Sequence, residues 1–216
     1  MLLVDQSRQG LIDYTCAQAA HLIPDGRDEP LRSHIAAHID DALARVGHCI
    51  DEVRWWRRNE FNYLHSSQYC IYLYYLANSI WKATGDAKAC TRLFLLNKAL
   101  NGIDLFYEIE MPKVFFIGHS VGIVLAKATY GEKLVLYQNA TVGKNHGVAP
   151  VIGERVVLFP NTAVIGRCKV GAGTVVSQGT SVVNRDTPGD CLAYPGEAGN
   201  LVFKPVKQDP IADIFR

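Results

Sequence analysis

A six-residue period constrains this chain more than any other feature it has. Ile152, Leu158, Val164, Val170, Val176 and Val182 recur at every sixth position. Four places after each of the first five stands a small or β-branched residue: Val156, Thr162, Cys168, Thr174 and Thr180. A hexapeptide period is one of the few sequence periods that specify an architecture. It predicts a parallel β-helix in which each hexad is a short strand and a corner. Aliphatic and small side chains point inward, and successive coils pair through backbone hydrogen bonds at roughly 4.8 Å. Gly and Asn populate the corners, where backbone angles are unusual.

The register extends upstream with two interruptions. Tyr130, Leu136 and Val142 share one frame, while Ile117 and Ile123 share another, one residue out of step. Four residues are in excess between Val142 and Ile152, so "KNHGVAP" is expected to leave the stack as a loop. The first hundred residues follow a different period. From Glu29 to about Arg58, the apolar positions Leu31, Ile35, Ile39, Leu43, Val46, Ile50 and Val53 make one face of an α-helix. "SSQYCIYLYYLANSIWKATG" is apolar nearly all round and is expected to be central. "DAKACTRLFLLNKALNG" opens on Asp86 as N-cap and closes before Gly102. A shorter first helix is expected to end before the Pro24-Asp25-Gly26 turn. The expected fold is therefore α+β: an α-helical domain over 1–103, a β-helix over 104–195 and a tail over 196–216. A solenoid cannot bury its open ends, which suits a helical cap on one side and a non-repeating tail after Pro188 on the other.

The formal net charge of +1 and the lack of a basic run argue against nucleic acid or an anionic membrane surface as partner. "MLLVDQSRQG" does not read as a secretory signal. The longest apolar stretch, "YCIYLYYLANSIW", is too short to span a bilayer and breaks at Asn78 and Ser79. Six cysteines without a C-x-x-C pair read as reduced, buried thiols of a cytoplasmic protein.

"FFIGHSVGIV" contains Gly118-His119-Ser120-Val121-Gly122, which fits the nucleophile elbow of a serine hydrolase. That fold needs strands before the nucleophile, then an acid and a histidine after it. Residues 29–101 read as helices, and the one histidine that follows is His146, with Glu132 the sole carboxylate between. Ser120 is therefore read as incidental, and His119 as the group of interest.

The junction carries a family likeness. "GIDLFYEIEMPKVFFIGH" sets Asp104 fifteen residues before His119, and "GIV" and "YQNATVG" follow. In these segments and in its repeat the chain resembles the serine O-acetyltransferases, within the hexapeptide-repeat acyltransferases. The resemblance implies a left-handed, triangular β-helix and homotrimers that can pair into hexamers. It implies acetyl-CoA as acetyl donor, no metal, His119 as general base and Asp104 as its orienting partner. An imidazole titrating near neutral pH can take the proton of an attacking hydroxyl. A carboxylate on its other nitrogen fixes the tautomer and supports the imidazolium. Attack is direct, with backbone N–H groups holding the oxyanion. By position in the resemblance, Gly143, Pro160 and Gln178 line a coenzyme A groove between coils of neighbouring subunits. Lys204, with Lys169 and Lys207 beside it as candidates, is placed toward the phosphates. His146, Glu108 and Glu110 are placed toward the acceptor.

Departures from the family pattern bear on that acceptor. Members that use serine carry an aspartate where Gly118 stands, and an Arg-His pair where Val148 and Ala149 stand. Those side chains grip free serine, so the expected acceptor is a sugar or a component of a surface polysaccharide. Serine O-acetyltransferase activity is the alternative, and a non-catalytic hexapeptide-repeat scaffold is a further one. His34 and His38 have metal-ligand spacing but share a polar helix face with Asp41, Arg45 and His48. Metal-dependent carbonic anhydrases of this repeat class use three histidines, and the repeat half here has only His119 and His146.

Overall fold

The computed structural model describes residues 1–216, the side chain of Ala198 excepted. Four helices come first: α1 (Arg8–Leu22), α2 (Asp28–Glu52), α3 (Ser66–Thr84) and α4 (Ala87–Asn101). Ser7 caps α1 by accepting from the backbone N–H of Gly10, and Asp86 caps α4 by accepting from Lys88 and Ala89. Gly85 and Gly102, both left-handed, end α3 and α4. α3 is the central helix, buried from Ser67 to Ile80 and packed between α2 and α4. Its polar groups serve the irregular segment that follows α4. Tyr74 Oη donates to the Ile109 carbonyl at 2.5 Å, and Asn78 Nδ2 to that of Tyr107 at 2.7 Å.

α2 stops at Glu52, short of the expected Arg58. The cause lies far along the chain. Arg216 Nη1 donates to the carbonyls of Asp51, at 2.7 Å, and Val53. Its Nη2 donates to those of Arg54, at 3.2 Å, and Trp56, at 2.9 Å. The last carbonyls of a helix have no intrahelical partner, and a cation there is also attracted to the negative end of the helix dipole. The guanidinium serves as a remote C-cap, and the backbone turns extended at Val53 (φ −80°, ψ 123°).

The second half is a parallel β-helix of three ladders. The first face holds strands 115–117, 134–136, 157–158, 175–176 and 191–195, and the second holds 104–105, 124–125, 141–143, 163–165 and 181–183. The third face holds 129–130, 151–152 and 169–170. Both periodic sets point inward. The six aliphatics from Ile152 to Val182 are at most 1 % exposed, and the set from Val156 to Thr180 is buried throughout. The "KNHGVAP" excursion is a tight loop in which Asn145 and Val148 exchange two backbone hydrogen bonds of 3.0 Å. His146 and Gly147 make its turn with positive φ.

Two features depart from expectation. Residues 2–3 pair in parallel with 60–61. Regular pairing also continues past Pro188: residues 191–195 add a strand to the first face, with Ala193 beside Val176. Ala193 takes the inward position seventeen residues after Val176 rather than eighteen, so the hexad frame hides this strand. The chain then returns antiparallel through 201–205 and runs back to α2, burying Ile211, Ile214 and Phe215. All six cysteines are buried and free. Burial pushes the Cys49 thiol up to about 11, and Cys70 and Cys90 to about 12.

Candidate active site

His119 stands on the corner between the first and second faces, and two helices pin that corner. Ser67 Oγ, at the start of α3, donates to the Gly118 carbonyl at 3.4 Å. Ser120 Oγ donates to the carbonyl of Asn101, the last residue of α4, at 2.7 Å. The N–H of Gly122 donates to the carbonyl of Gly102 at 2.9 Å. Ser120 is only 8 % exposed, and its proton is spent on a carbonyl rather than offered to a base. That geometry excludes the hydrolase elbow. His119 is exposed, and among the described residues its ring makes no hydrogen bond.

Beside His119 lies a cavity of about 470 Å³ whose walls are aromatic: Trp55, Trp56, Phe116 and Tyr137. Phe116 meets Trp55 edge-on at 5.4 Å and Trp56 at 5.6 Å, centroid to centroid. Tyr137 stacks on Phe159 at 5.4 Å with the rings within 5° of parallel. A Cβ at Gly118 would lie 2.6 Å from Tyr137 Cε1, so that ring fills the space a side chain would need. Ser66, Ser67 and His65 complete the lining. Burial holds the half-buried His65 imidazole below its ordinary pKa, and its Nδ1 has no partner.

A larger cavity of about 660 Å³ lies where α2 and α3 meet the first coil, and His119 does not line it. Its charges are largely engaged with one another or with backbone. Lys82 pairs with Glu110 at 2.6 Å, Arg45 bonds to Ser79 and Asn78, and Glu132 accepts from the N–H groups of Lys113 and Val114. We read it as a structural junction.

The expected site residues divide. Pro160 and Gln178 fall on the corner column of His119: the N–H of Gly118 donates to Leu136, that of Tyr137 to Leu158 and that of Phe159 to Val176. His119, Gln138, Pro160 and Gln178 therefore succeed one another, one coil apart. Gly143 lies instead on the outer second face, level with Ile165 and Val183. Lys204, Lys169 and Lys207 are exposed, the first on the returning strand and the second on the third face. Asp104 opens the rung against Val124, but its Oδ2 accepts from Lys98 Nζ at 2.7 Å and makes no bond to His119. Glu108 pairs with Lys127 at 2.7 Å and Glu110 with Lys82, and neither lines the His119 cavity. His146 sits between the second and third faces, away from the His119 corner of the same chain. His34 Nε2 bonds to the capping Asp86 at 3.0 Å. Trp55, Trp56, His65, Phe116 and Tyr137 were not among the residues expected from the sequence. Only the apolar Trp-Trp pair inside an otherwise charged stretch hinted at them.

No protein-family model matches the chain. The serine acetyltransferase of Bacillus licheniformis is 25% identical over 173 residues, which cover 70% of this chain and 76% of that protein. The crystal structure of serine acetyltransferase from Brucella abortus superposes with a TM-score of 0.70 at 15% identity, covering 95% of this chain and 88% of that one. That of Neisseria gonorrhoeae serine acetyltransferase in complex with serine gives 0.67 at 16% identity, covering 93% and 84%. The fold is that of a hexapeptide-repeat protein, a helical domain followed by a left-handed parallel β-helix. Within that class the chain is serine O-acetyltransferase-like, in sequence over most of its length and in fold over nearly all of it.

Proposed function

We propose that this chain is an acetyl-CoA-dependent O-acetyltransferase with His119 as general base. One observation carries the reading: an exposed, unbonded imidazole on a corner pinned by two helices, at the edge of a cavity. Pro160 and Gln178 lie in line with it, along the groove proposed for coenzyme A. The acceptor oxygen attacks the thioester carbonyl while His119 takes the hydroxyl proton. The tetrahedral intermediate then collapses, the C–S bond breaks, and the imidazolium returns the proton to the departing thiolate. Positioned acid–base catalysis of this kind contributes about 10²–10⁴-fold. Asp104 is proposed as the carboxylate that supports the imidazolium, in competition with its bond to Lys98.

The similar proteins are named for serine, so L-serine is the acceptor they favour. None of these relatives bears a sugar in its name, and the surface-polysaccharide expectation has no support from them. A second reading, a neutral acceptor, is favoured by Gly118, where Tyr137 leaves no room for a carboxylate beside His119.

The outer second face suits a trimer contact. Val124, Thr141, Ala163 and Ser181 form one uncharged ladder, and Gly143, Ile165 and Val183 another. In such an assembly His146 is offered to a neighbour's site. No helix is long and apolar enough to cross a membrane. A cytoplasmic setting fits six free thiols.

The test is thiol release from acetyl-CoA with L-serine and with neutral methyl pyranosides, wild type beside His119→Ala. Acceptor-dependent release by wild type alone supports the reading. Full activity in His119→Ala means another base, and a protein that neither binds nor consumes acetyl-CoA is a scaffold.

A further inference from the structure

We propose that Trp55, Phe116 and Tyr137 form the surface on which the non-reacting part of the acceptor lies. The acceptor they fit is a neutral, ring-bearing alcohol of the pyranoside class. The inference rests on the acyl-transfer reading of the same site, and it selects among acceptors.

Charge disfavours a free amino acid here. The residues around the His119 cavity include no Asp, Glu, Lys or Arg. A free amino acid brings an ammonium and a carboxylate, and taking either out of water without a partner is costly. The recess beyond Trp55 does hold Arg57 and Glu60, but they face each other at 3.8 Å.

The aromatic groups are also presented for contact. Trp55 is 60% exposed, yet it is held: its ring abuts Phe116, and Arg216 bonds the carbonyls of Arg54 and Trp56 on either side of it. An indole kept in the open on a fixed backbone is a ready face for a flat ligand. An aromatic face carries negative potential and makes dispersion contacts, so it can take the C–H groups of a saturated ring laid on it. Tyr137 is fixed in turn by its stack on Phe159.

Size and polarity point the same way. An open cavity of about 470 Å³ has room to seat a ring-sized ligand. Three-carbon serine would leave much of it to solvent. The hydroxyls of Ser66 and Ser67 and the imidazole of His65 line the same space. They offer neutral hydrogen-bonding partners for ring hydroxyls, while His119 takes the one that reacts.

The experiment pairs binding with turnover. Tryptophan emission is titrated with L-serine and with the methyl β-pyranosides of glucose, galactose and N-acetylglucosamine. Thiol release is followed with the same compounds, and acetyl-CoA binding is measured by calorimetry. Wild type is compared with Trp55→Ala, whose exposed side chain can be lost without opening the core. The expected result is saturable binding and turnover of a pyranoside. Trp55→Ala then raises its Kd and KM about tenfold and leaves the KM for acetyl-CoA within about twofold. Turnover of L-serine alone, indifferent to Trp55→Ala, overturns the acceptor class and leaves the transferase standing. Acetyl-CoA binding with no pyranoside response likewise overturns the acceptor class and spares the transferase. A Trp55-dependent pyranoside response without acetyl-CoA binding supports the cavity and overturns the transferase.

Discussion

Ser120 Oγ donates to the carbonyl of Asn101 at 2.7 Å and so ties the first β-helix corner to the last turn of α4. The neighbouring His119 stays free on a backbone that cannot drift. Ser120→Ala removes one buried hydrogen bond and leaves a carbonyl unpaired, a cost of about 1–2 kcal/mol. Thermal unfolding is expected to shift down by about 2–8 °C, with thiol release kept within several-fold. A loss of turnover as deep as that of His119→Ala would return the serine to the chemistry.

Lys98 and Asp104 separate two roles for the carboxylate. If Asp104 supports the His119 imidazolium, Asp104→Asn lowers kcat by at least about tenfold, while Lys98→Met holds or raises it. Equal losses in both variants would mark the ion pair as structural.

Gly118 and Tyr137 form a steric pair. Gly118→Asp drives a side chain into a ring already stacked on Phe159, and overpacking of this kind costs about 1–3 kcal/mol. Denaturant midpoints are expected to fall for Gly118→Asp and to recover in Gly118→Asp/Tyr137→Ala. Failure of the double variant to recover would mean that the backbone, not the ring, excludes the side chain.

Arg216 satisfies four carbonyls around the end of α2. Arg216→Met is expected to destabilise the fold by about 2 kcal/mol and to speed amide exchange first in the last turn of α2. Arg216→Lys restores only part, because an ammonium cannot reach all four oxygens in one plane.

His65 sets a pH dependence. Burial lowers its pKa from the ordinary 6.5, so below that pH the unfolded chain binds a proton that the folded one refuses. Stability therefore falls as pH drops below 6.5 toward the folded pKa, and returns on raising it. The melting temperature of His65→Phe should decline less between pH 7 and 5 than that of wild type. Parallel declines would assign the acid sensitivity elsewhere.

The coils were legible because their physics is periodic. Ile152 and its repeats must point inward every sixth place, and a frame of side chains records that directly. The added strand at Ala193 was not legible, since a slip of one residue removes the frame while backbone pairing persists. His119 was singled out only through the family resemblance, which pairs it with Asp104, and the carboxylate's bond to Lys98 depends on which group lies nearer in space. The aromatic wall was invisible for the same reason. Trp55, Phe116 and Tyr137 come from three separate stretches, the last two joined by pairing of adjacent coils and the first brought to them by the turn after α2.

The contact of Arg216 with the backbone around Trp55 spans about 160 residues of chain. A contact of such separation carries a loop-closure cost that contacts between neighbouring segments do not. The helices and the coils are built from neighbouring segments, whereas this wall also draws on the segment that follows the strand at 201–205. Displacing that segment would leave His119 on its pinned corner beside a loosened aromatic wall. The aromatic wall is thus coupled to the seating of a segment remote from it in sequence.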